Sequence, residues 1–302
     1  MKKLITAFLL LFFLFSCSAN PISKIDNRIS IVVTSFPLYD FVRAVADDRA
    51  DIKMLIKPGA EVHSFDPSPA DIIAIKNADL FFCIGGESDS WVDSMLSSIE
   101  SSELKVIKLM EYVTPIYHEH SHNPDEHIWT SFENAEKMLD AICDAVSESD
   151  KENEELYITD KDAYKAEIMQ IAGEIKQIVD QSAEKKIIVA DRFPFIYFCE
   201  EFSLSYTAAF DACGSERDSS AGIVASLIDE VNALSVDVIY YTELSNHNIA
   251  DIVSEQTGAE IMELHSCHNV TKEDFDNGET YCSLWRRNIE ALRKGLIYEC
   301  DS

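Results

Sequence analysis

Two histidine-bearing stretches carry the residues of this sequence that are best suited to chemistry. His63 lies within residues 57–71, KPGAEVHSFDPSPAD, which follow an apolar run and end at a Ser-Pro-Ala-Asp helix start. The second stretch, residues 117–129, reads YHEHSHNPDEHIW and carries four histidines, His118, His120, His122 and His127. A loop anchored between a strand and a capped helix holds a ligand in a fixed position. We therefore expect a metal ion to bind between such loops.

Apolar runs alternate with helical patterns in the first half of the chain. Strand-length runs occur at residues 29–33, 52–56, 80–84 and 104–109. Helical apolar spacing lies between them, for example in the residues that follow Pro37. Apolar runs separated by amphipathic helices predict a parallel sheet covered by helices on both faces.

A long helical pattern separates this half from a second half of the same kind. Residues 153–185 contain one glycine and no proline, and their isoleucines recur every three or four residues. Strand-like runs then return at residues 187–190, 204–210, 238–242 and 260–264. The expected fold class is α/β, with two βα lobes, each on a mostly parallel four-stranded sheet, joined by one long helix.

Polar residues follow the strands of both predicted sheets, and ligands in open α/β folds bind beyond the carboxyl ends of the strands. His63 follows the second strand, and residues 117–127 follow the fourth. In the second half, Asp191-Arg192, Glu243 and Cys267-His268 hold the equivalent positions. We expect all of them to face one crevice between the two halves.

The charge of the chain excludes some partners. Lysine and arginine number 25 against 54 aspartates and glutamates, which gives a formal charge of −29 over 302 residues. This balance argues against binding to nucleic acid or to an anionic membrane surface through charge, and it suits a protein that attracts cations.

The amino terminus predicts export. Two lysines precede an apolar stretch, residues 4–15, that is short for a membrane span. Leu14-Phe15-Ser16-Cys17 is typical of a bacterial lipoprotein signal, with cleavage before Cys17 and a lipid on its sulfur. An ordinary signal peptide and an uncleaved anchor are the alternatives. The expected segments are a signal peptide at 1–16, a lipidated tether at 17–28, an N-terminal lobe at 29–150, a linking helix at 151–186 and a C-terminal lobe at 187–302.

The spacing of the cysteines does not indicate a metal site built from cysteine ligands. Seven cysteines remain besides Cys17, and the sequence contains no CxxC pair. An odd number cannot pair completely within the chain. Cys213 and Cys267 each follow a strand-like run and form the candidate disulfide.

Four stretches of the sequence carry a family resemblance, namely VVTSFPLYDFV, LIKPGAEVHSFDPSPADIIAIKNADLFF, DEHIWTSFENAEKMLDAI and GETYCSLWRRNIEALRKGL. They resemble the metal-binding solute receptors of bacterial ABC importers for zinc and manganese. The resemblance covers nearly all of the mature chain, in the same order. It implies two βα lobes on a rigid linking helix, a monomer, and an ABC permease with its ATPase as partners.

The resemblance implies particular metal ligands. His63 and His127 match two imidazole ligands of the family, and Glu279, in Gly-Glu-Thr-Tyr, is matched to its carboxylate ligand. The remaining family ligand falls at Arg192, whose guanidinium stays protonated and cannot ligate. Asp191, His268 or water are the possible replacements, and Arg192 is free to form an ion pair that closes the lobes.

The histidine-rich loop bears on the choice of metal. In the resembled family such insertions are typical of zinc receptors, and His118, His120 and His122 on an acidic loop would form a weak capture site. The alternative is a polar loop without a function. Several imidazoles favour Zn(II), whereas Mn(II) prefers oxygen ligands and stays possible because Glu279 and Asp191 would serve it.

The sequence therefore indicates an exported binding protein, lipid-anchored to the outer face of the cell membrane. It would capture Zn(II) and deliver it to an ABC permease. A manganese or iron receptor and a metal-binding surface adhesin are the alternatives. We do not expect an enzyme, because the chain has no GxSxG motif and no glycine-rich phosphate loop.

Overall fold

Four parallel strands form the first sheet of the protein in a computed structural model, which describes residues 28–99, 103–117, 123–211 and 221–297. These strands, β1 to β4, are Ile29–Val33, Ala50–Met54, Leu80–Cys83 and Lys105–Lys108. Their order in this N-terminal sheet is β2-β1-β3-β4. The central strands β1 and β3 are buried except for the half-buried Ser30, as expected for apolar runs covered on both faces.

Side-chain caps fix the starts of two helices that follow these strands. The helices α1 to α4 are Phe36–Ala46, Pro69–Lys76, Trp91–Ser98 and Phe132–Ser149. At α2, the Ser68 hydroxyl accepts a hydrogen bond from the backbone N–H of Asp71, and the Asp71 carboxylate accepts one from Ser68 in return. At α4 the cap is Ser131, which accepts from the backbone N–H of Asn134.

The predicted linking helix is α5, Glu154–Gln181, with 28 residues. Its buried face contains Ile168, Ile171, Ile175 and Ile178, and burial of each isoleucine contributes roughly 2 kcal/mol. The helix packs against α1, α4 and the last helix of the chain, α10, Tyr281–Leu296. It therefore contacts helices from both halves.

The second half repeats the architecture of the first. Its strands, β5 to β8, are Lys186–Phe193, Ser205–Asp211, Val238–Tyr241 and Glu260–Glu263. They form a second parallel sheet, the C-terminal sheet, in the order β6-β5-β7-β8. The helices α6 to α9 are Ile196–Phe202, Ala221–Leu234, Asn248–Thr257 and Lys272–Asp276.

One continuous hydrophobic core joins the two sheets through α4, α5 and α10. The α/β prediction, with two four-stranded parallel sheets and a long helix, is confirmed. Among the helices of the described ranges, none combines the length and the apolar character that crossing a bilayer requires.

Two strands differ from the prediction by two residues or more at one end or both, and the others agree to within one residue. The strand β2 is Ala50–Met54 and not 52–56, although the backbone N–H groups of Leu55 and Ile56 still donate to the carbonyls of Val33 and Thr34. The strand β5 continues to Phe193, with a register shift between Val189 and Arg192, so Arg192 lies in the end of the strand and not after it.

Candidate metal centre

Three histidine side chains converge where the carboxyl ends of the two sheets face each other. One ring nitrogen from each of His63, His127 and His268 lies within 4.8 Å of the others. The ring centroids of the three pairs are 4.9, 5.2 and 5.9 Å apart. Imidazole is a preferred ligand of Zn(II), and three nitrogens this close together can bind one ion.

Each histidine reaches the centre from a different loop. His63 lies between β2 and α2, and its side chain is 25% exposed. His127 precedes the 3₁₀ turn Ile128–Thr130 and is almost fully buried. His268 follows β8 and is also nearly buried. The N-terminal sheet thus supplies two imidazoles and the C-terminal sheet supplies one.

A carboxylate orients the imidazole of His127. The Oδ1 atom of Asp125 lies 3.1 Å from Nδ1 of His127 and accepts a hydrogen bond of 2.8 Å from the His127 backbone N–H. With Nδ1 held in this way, Nε2 is the nitrogen available to a metal. Such outer-shell carboxylates fix the tautomer of a ligating histidine and increase its basicity.

His63 has an equivalent partner in Glu126. The Oε1 atom of Glu126 lies 3.2 Å from Nδ1 of His63, and the Ser88 hydroxyl lies 3.1 Å from the same nitrogen. Glu126 is held by Ser88, whose backbone N–H and hydroxyl donate hydrogen bonds of 2.8 and 2.5 Å to its carboxylate. Adjacent residues of one loop therefore orient two imidazoles.

The electrostatic environment differs among the three groups. Burial lowers the pKa of His268, and the charges of His127 and His63 lower it further, so its imidazole is neutral at neutral pH. Burial also lowers the pKa of His127, but the carboxylates of Asp125 and Glu126 raise it more, and the net pKa is above its ordinary value. Because only neutral imidazole ligates, metal binding competes with a proton at His127.

A carboxylate shapes the loop that carries His268. Glu243 accepts hydrogen bonds from the backbone N–H of His268, at 3.1 Å, and from the N–H and hydroxyl of Ser266, at 2.7 and 2.5 Å. Between them, Cys267 adopts a φ of 62°. The indole N–H of Trp129 donates to the Ser266 carbonyl at 2.8 Å, and its ring centroid lies 4.7 Å from that of His268.

Direct hydrogen bonds connect the loop that carries His63 to the loop that carries His268. The buried side-chain amide of Asn269 donates to the carbonyl oxygens of Lys57 and Ala60, at 3.0 and 2.8 Å. The backbone N–H of Gly59 donates to the carbonyl of Val270 at 2.7 Å. These bonds keep ligands from different sheets at a fixed separation.

Comparison with known proteins identifies the family of this chain. The family model of the periplasmic zinc-uptake complex component A, ZnuA, matches residues 31–295. This chain belongs to that family. The family is one of uptake components and not one of enzymes.

Two ZnuA-type relatives are similar over most of the chain. The zinc-binding lipoprotein AdcA of Streptococcus pneumoniae is 27% identical over 309 residues, which cover 97% of this chain and 61% of AdcA. The chain thus spans about three fifths of that relative. The high-affinity zinc uptake system protein ZnuA of Bacillus subtilis is 28% identical over 285 residues, 90% of this chain and 88% of the relative.

A solved structure from the same group has the same fold. The Zn(II)-bound ZnuA-like domain of Streptococcus pneumoniae AdcA superimposes with a TM-score of 0.78 at 25% identity. The match covers 89% of this chain and 99% of that domain.

Asp191 lines the cleft beside the histidines, but its carboxylate has other partners. One oxygen accepts the backbone N–H of Arg192 at 2.8 Å, and the other accepts the N–H and hydroxyl of Thr242 at 3.1 and 3.0 Å. Among the described residues, no carboxylate joins the three histidines within ligand distance of one another. Of the two protein replacements predicted for the Arg192 position, His268 is the one in the cluster.

Glu279 is not brought to the histidines. Its carboxylate accepts a hydrogen bond from the Ser283 hydroxyl and lies 2.9 Å from the guanidinium of Arg287. The reason is local, because Glu279 immediately precedes Thr280, the cap of α10, and its side chain turns toward the first turn of that helix.

Other predicted groups lie outside the described residues, namely His118, His120, His122, Cys17 and Cys213. Residues 118–122, HEHSH, also fit the letters of the HExxH pattern of zinc hydrolases, which requires a helix. Cys267 is fully buried. Because Cys213 is not among the described residues, the predicted Cys213–Cys267 pair is not tested, and the capture loop and the lipid anchor stay predictions.

Sequence reasoning missed the residues that hold the ligands in place. Glu126, Asn269 and Trp129 carry no motif that marks them as parts of the site. A signal is present for two of them, because Glu126 adjoins His127 and Asn269 adjoins His268. Their partners come from distant segments, so adjacency alone did not reveal what they contact.

Proposed function

We propose that the protein binds Zn(II) between its two sheets through His63, His127 and His268 and delivers the ion to an ABC permease. The observation that carries this proposal is the convergence of three imidazole nitrogens, from three loops, within 4.8 Å of one another. Asp125 and Glu126 support it, because each contacts the Nδ1 atom of one imidazole and leaves Nε2 for the ion.

Zinc is the metal that this ligand set favours. Three nitrogen ligands suit the tetrahedral preference of Zn(II), whereas Mn(II) prefers a shell of oxygen ligands. Membership in the zinc-uptake family agrees with this choice.

We further propose that the molecule works as two lobes, residues 29–150 and 187–302, on the linking helix at 151–186. A monomer, tethered outside the cell through a lipid on Cys17, would present the ion to the permease and its ATPase. Labelling cells with a fatty-acid analogue tests the anchor, since the Cys17→Ala protein should stay unlabelled.

The function is tested by titrating the metal-stripped protein with Zn(II) and Mn(II) against competing chelators. We expect one tight Zn(II) site and weaker Mn(II) binding. His63→Ala, His127→Ala and His268→Ala should each weaken Zn(II) binding by more than about a hundredfold, because even outer-shell changes cost about 10- to 100-fold. His247→Ala is the matched control, since His247 is exposed and pairs with Asp251.

Two outcomes would contradict the proposal. Absence of a tight site for either metal would remove the receptor function and favour the adhesin. Tight Zn(II) binding that survives in all three histidine variants would place the ion elsewhere.

A further inference from the structure

Arg192 lies at the carboxyl end of β5, in the same cleft as the three histidines. The cleft has a volume of about 200 Å³. A guanidinium has five donor hydrogens and no lone pair for a metal, so Arg192 can act on the centre only by binding a group that carries negative charge.

The guanidinium has unused donors. Its Nε atom is buried and has no hydrogen-bond partner within the described part of the chain. Its NH1 atom lies 3.5 Å from Oε1 of Glu61, which is longer than a good charge-assisted hydrogen bond. The Glu61 side chain is 52% exposed, so it competes weakly for the guanidinium. A buried donor without a partner costs free energy that a ligand can recover.

Zn(II) bound by three imidazoles has an open fourth position. The neighbouring cleft carboxylates of Asp191 and Glu243 are both occupied by backbone and hydroxyl donors. Moving either carboxylate to the metal would leave those donors without partners. The fourth ligand is therefore best supplied from solution.

We propose that a small planar oxyanion, carbonate or a carboxylate, binds together with the metal and bridges the fourth position to Arg192. One oxygen of the anion ligates the metal, and another accepts hydrogen bonds from the guanidinium, whose fork geometry matches a planar oxyanion. This inference rests on the proposed zinc site. It assigns Arg192 the role of an anion-binding residue.

The test measures Zn(II) affinity, with a competing chelator, in carbonate-free buffer and in buffer with bicarbonate, acetate or chloride. We expect bicarbonate, acetate or both to tighten Zn(II) binding by about tenfold or more, the size of one charge-assisted pair, and chloride to have no such effect. The bicarbonate and acetate arms distinguish the two sources of the oxyanion. Cobalt(II) provides a second readout, because replacing water by the anion changes the visible absorption of the bound ion.

Arg192→Gln should still bind Zn(II) through its histidines but lose the dependence on the oxyanion in both readouts. Arg286→Gln removes the same charge from an exposed pair with Glu167 and should keep that dependence. If the unaltered protein bound no Zn(II) in any of these buffers, the zinc site itself would be refuted.

Equal affinity and equal cobalt spectra with and without oxyanion would overturn the inference. If, in addition, Glu61→Gln lost tight binding, Glu61 would be the fourth ligand. Persistence of the anion effect in Arg192→Gln would also overturn it.

Discussion

The carboxylate of Glu126 lies 3.2 Å from Nδ1 of His63, so a buried acid from one loop contacts an imidazole from another. Glu126 is only 3% exposed, and it is fixed by the backbone N–H of Ser88. Burial raises the pKa of Glu126, but the hydrogen bond to His63 and the charge of His127 lower it more, and the group stays ionised. This contact orients His63 and also balances part of the charge of an incoming cation.

Glu126→Gln should weaken Zn(II) binding by about 10- to 100-fold, the usual cost of losing an outer-shell carboxylate. The amide keeps the shape of the side chain, but it removes the negative charge beside His63. Chelator-competition titration measures the effect. Glu201→Gln is the control, since Glu201 also accepts a backbone hydrogen bond, from Phe132. An equal loss in both variants would mean that the effect is structural and not specific to His63.

Glu126 occupies the space that a side chain at position 86 would fill, and Gly86 has no side chain. A Cβ atom at this glycine would lie 2.4 Å from Cβ and 2.6 Å from Oε2 of Glu126. Gly86→Ala should therefore displace Glu126, weaken Zn(II) binding, and lower the free energy of unfolding by about 1–3 kcal/mol.

Gly173 provides the opposite control for this substitution. It lies inside α5, and a Cβ there would meet no atom within 4 Å. Gly173→Ala should raise the free energy of unfolding by up to about 1 kcal/mol, because alanine favours the helix, and should leave Zn(II) affinity unchanged. Full Zn(II) affinity in Gly86→Ala would show that Glu126 does not govern His63.

The fold was predictable because the information is local. Buried apolar runs define the strands, and the apolar face of α5 defines the linking helix. Errors occurred at the strand ends, as at Leu55 and Ile56, which are buried and still donate backbone hydrogen bonds but lie beyond β2. Periodicity reports which residues are buried and not at which residue a strand ends.

The site was predictable in part for a related reason. A loop fixed by a strand and a capped helix marked His63, the family resemblance alone selected His127 from the four histidines of its loop, and His268 could only be named beside Asp191. The choice between them depends on contacts between distant residues, because Glu243 shapes the loop of His268 and Thr242 holds Asp191. The position assigned to Glu279 rested on similarity of letters at the start of α10, where the local cap directs the side chain.

The bonds from Asn269 to Lys57 and Ala60 predict that the two histidine-bearing loops open together. Asn269→Ala should lower the free energy of unfolding by about 1–3 kcal/mol, since it removes both of these bonds and leaves the buried backbone N–H of Val270 without its acceptor. It should also speed hydrogen exchange at the N–H of Gly59, which donates to Val270. Mass spectrometry of peptides from residues 57–62 measures the exchange.

Asn153→Ala is the control for this effect, because the Asn153 amide binds Asp150 near the start of α5. This variant should lose stability without faster exchange in residues 57–62. Unchanged exchange at Gly59 in Asn269→Ala would show that the backbone bond alone fastens the loops.

The buried carboxyl group of Asp89 should make the free energy of unfolding depend on pH. Burial raises its pKa from 3.8 to about 6, although the N–H groups of Gly85 and Ile84 donate to its carboxylate and oppose the rise. Since the folded state holds this proton more tightly than the unfolded state, stability from Asp89 is complete below about pH 4 and is lost as pH rises through about 6. The loss amounts to ~3 kcal/mol.

Asp89→Asn should therefore gain stability relative to the unaltered protein between about pH 4 and about pH 7, measured by urea unfolding of the metal-free protein. Asp71→Asn should be less stable than the unaltered protein at neutral pH, and this difference should shrink as the pH falls. Burial raises the pKa of Asp71, but hydrogen bonds from Ser68 and Lys53 lower it more, so its stabilising effect is lost as pH falls. Asparagine does not titrate, so the variant lacks the pH dependence that Asp89 gives the unaltered protein. A difference in stability between the two proteins that stays constant across this range would therefore contradict the prediction.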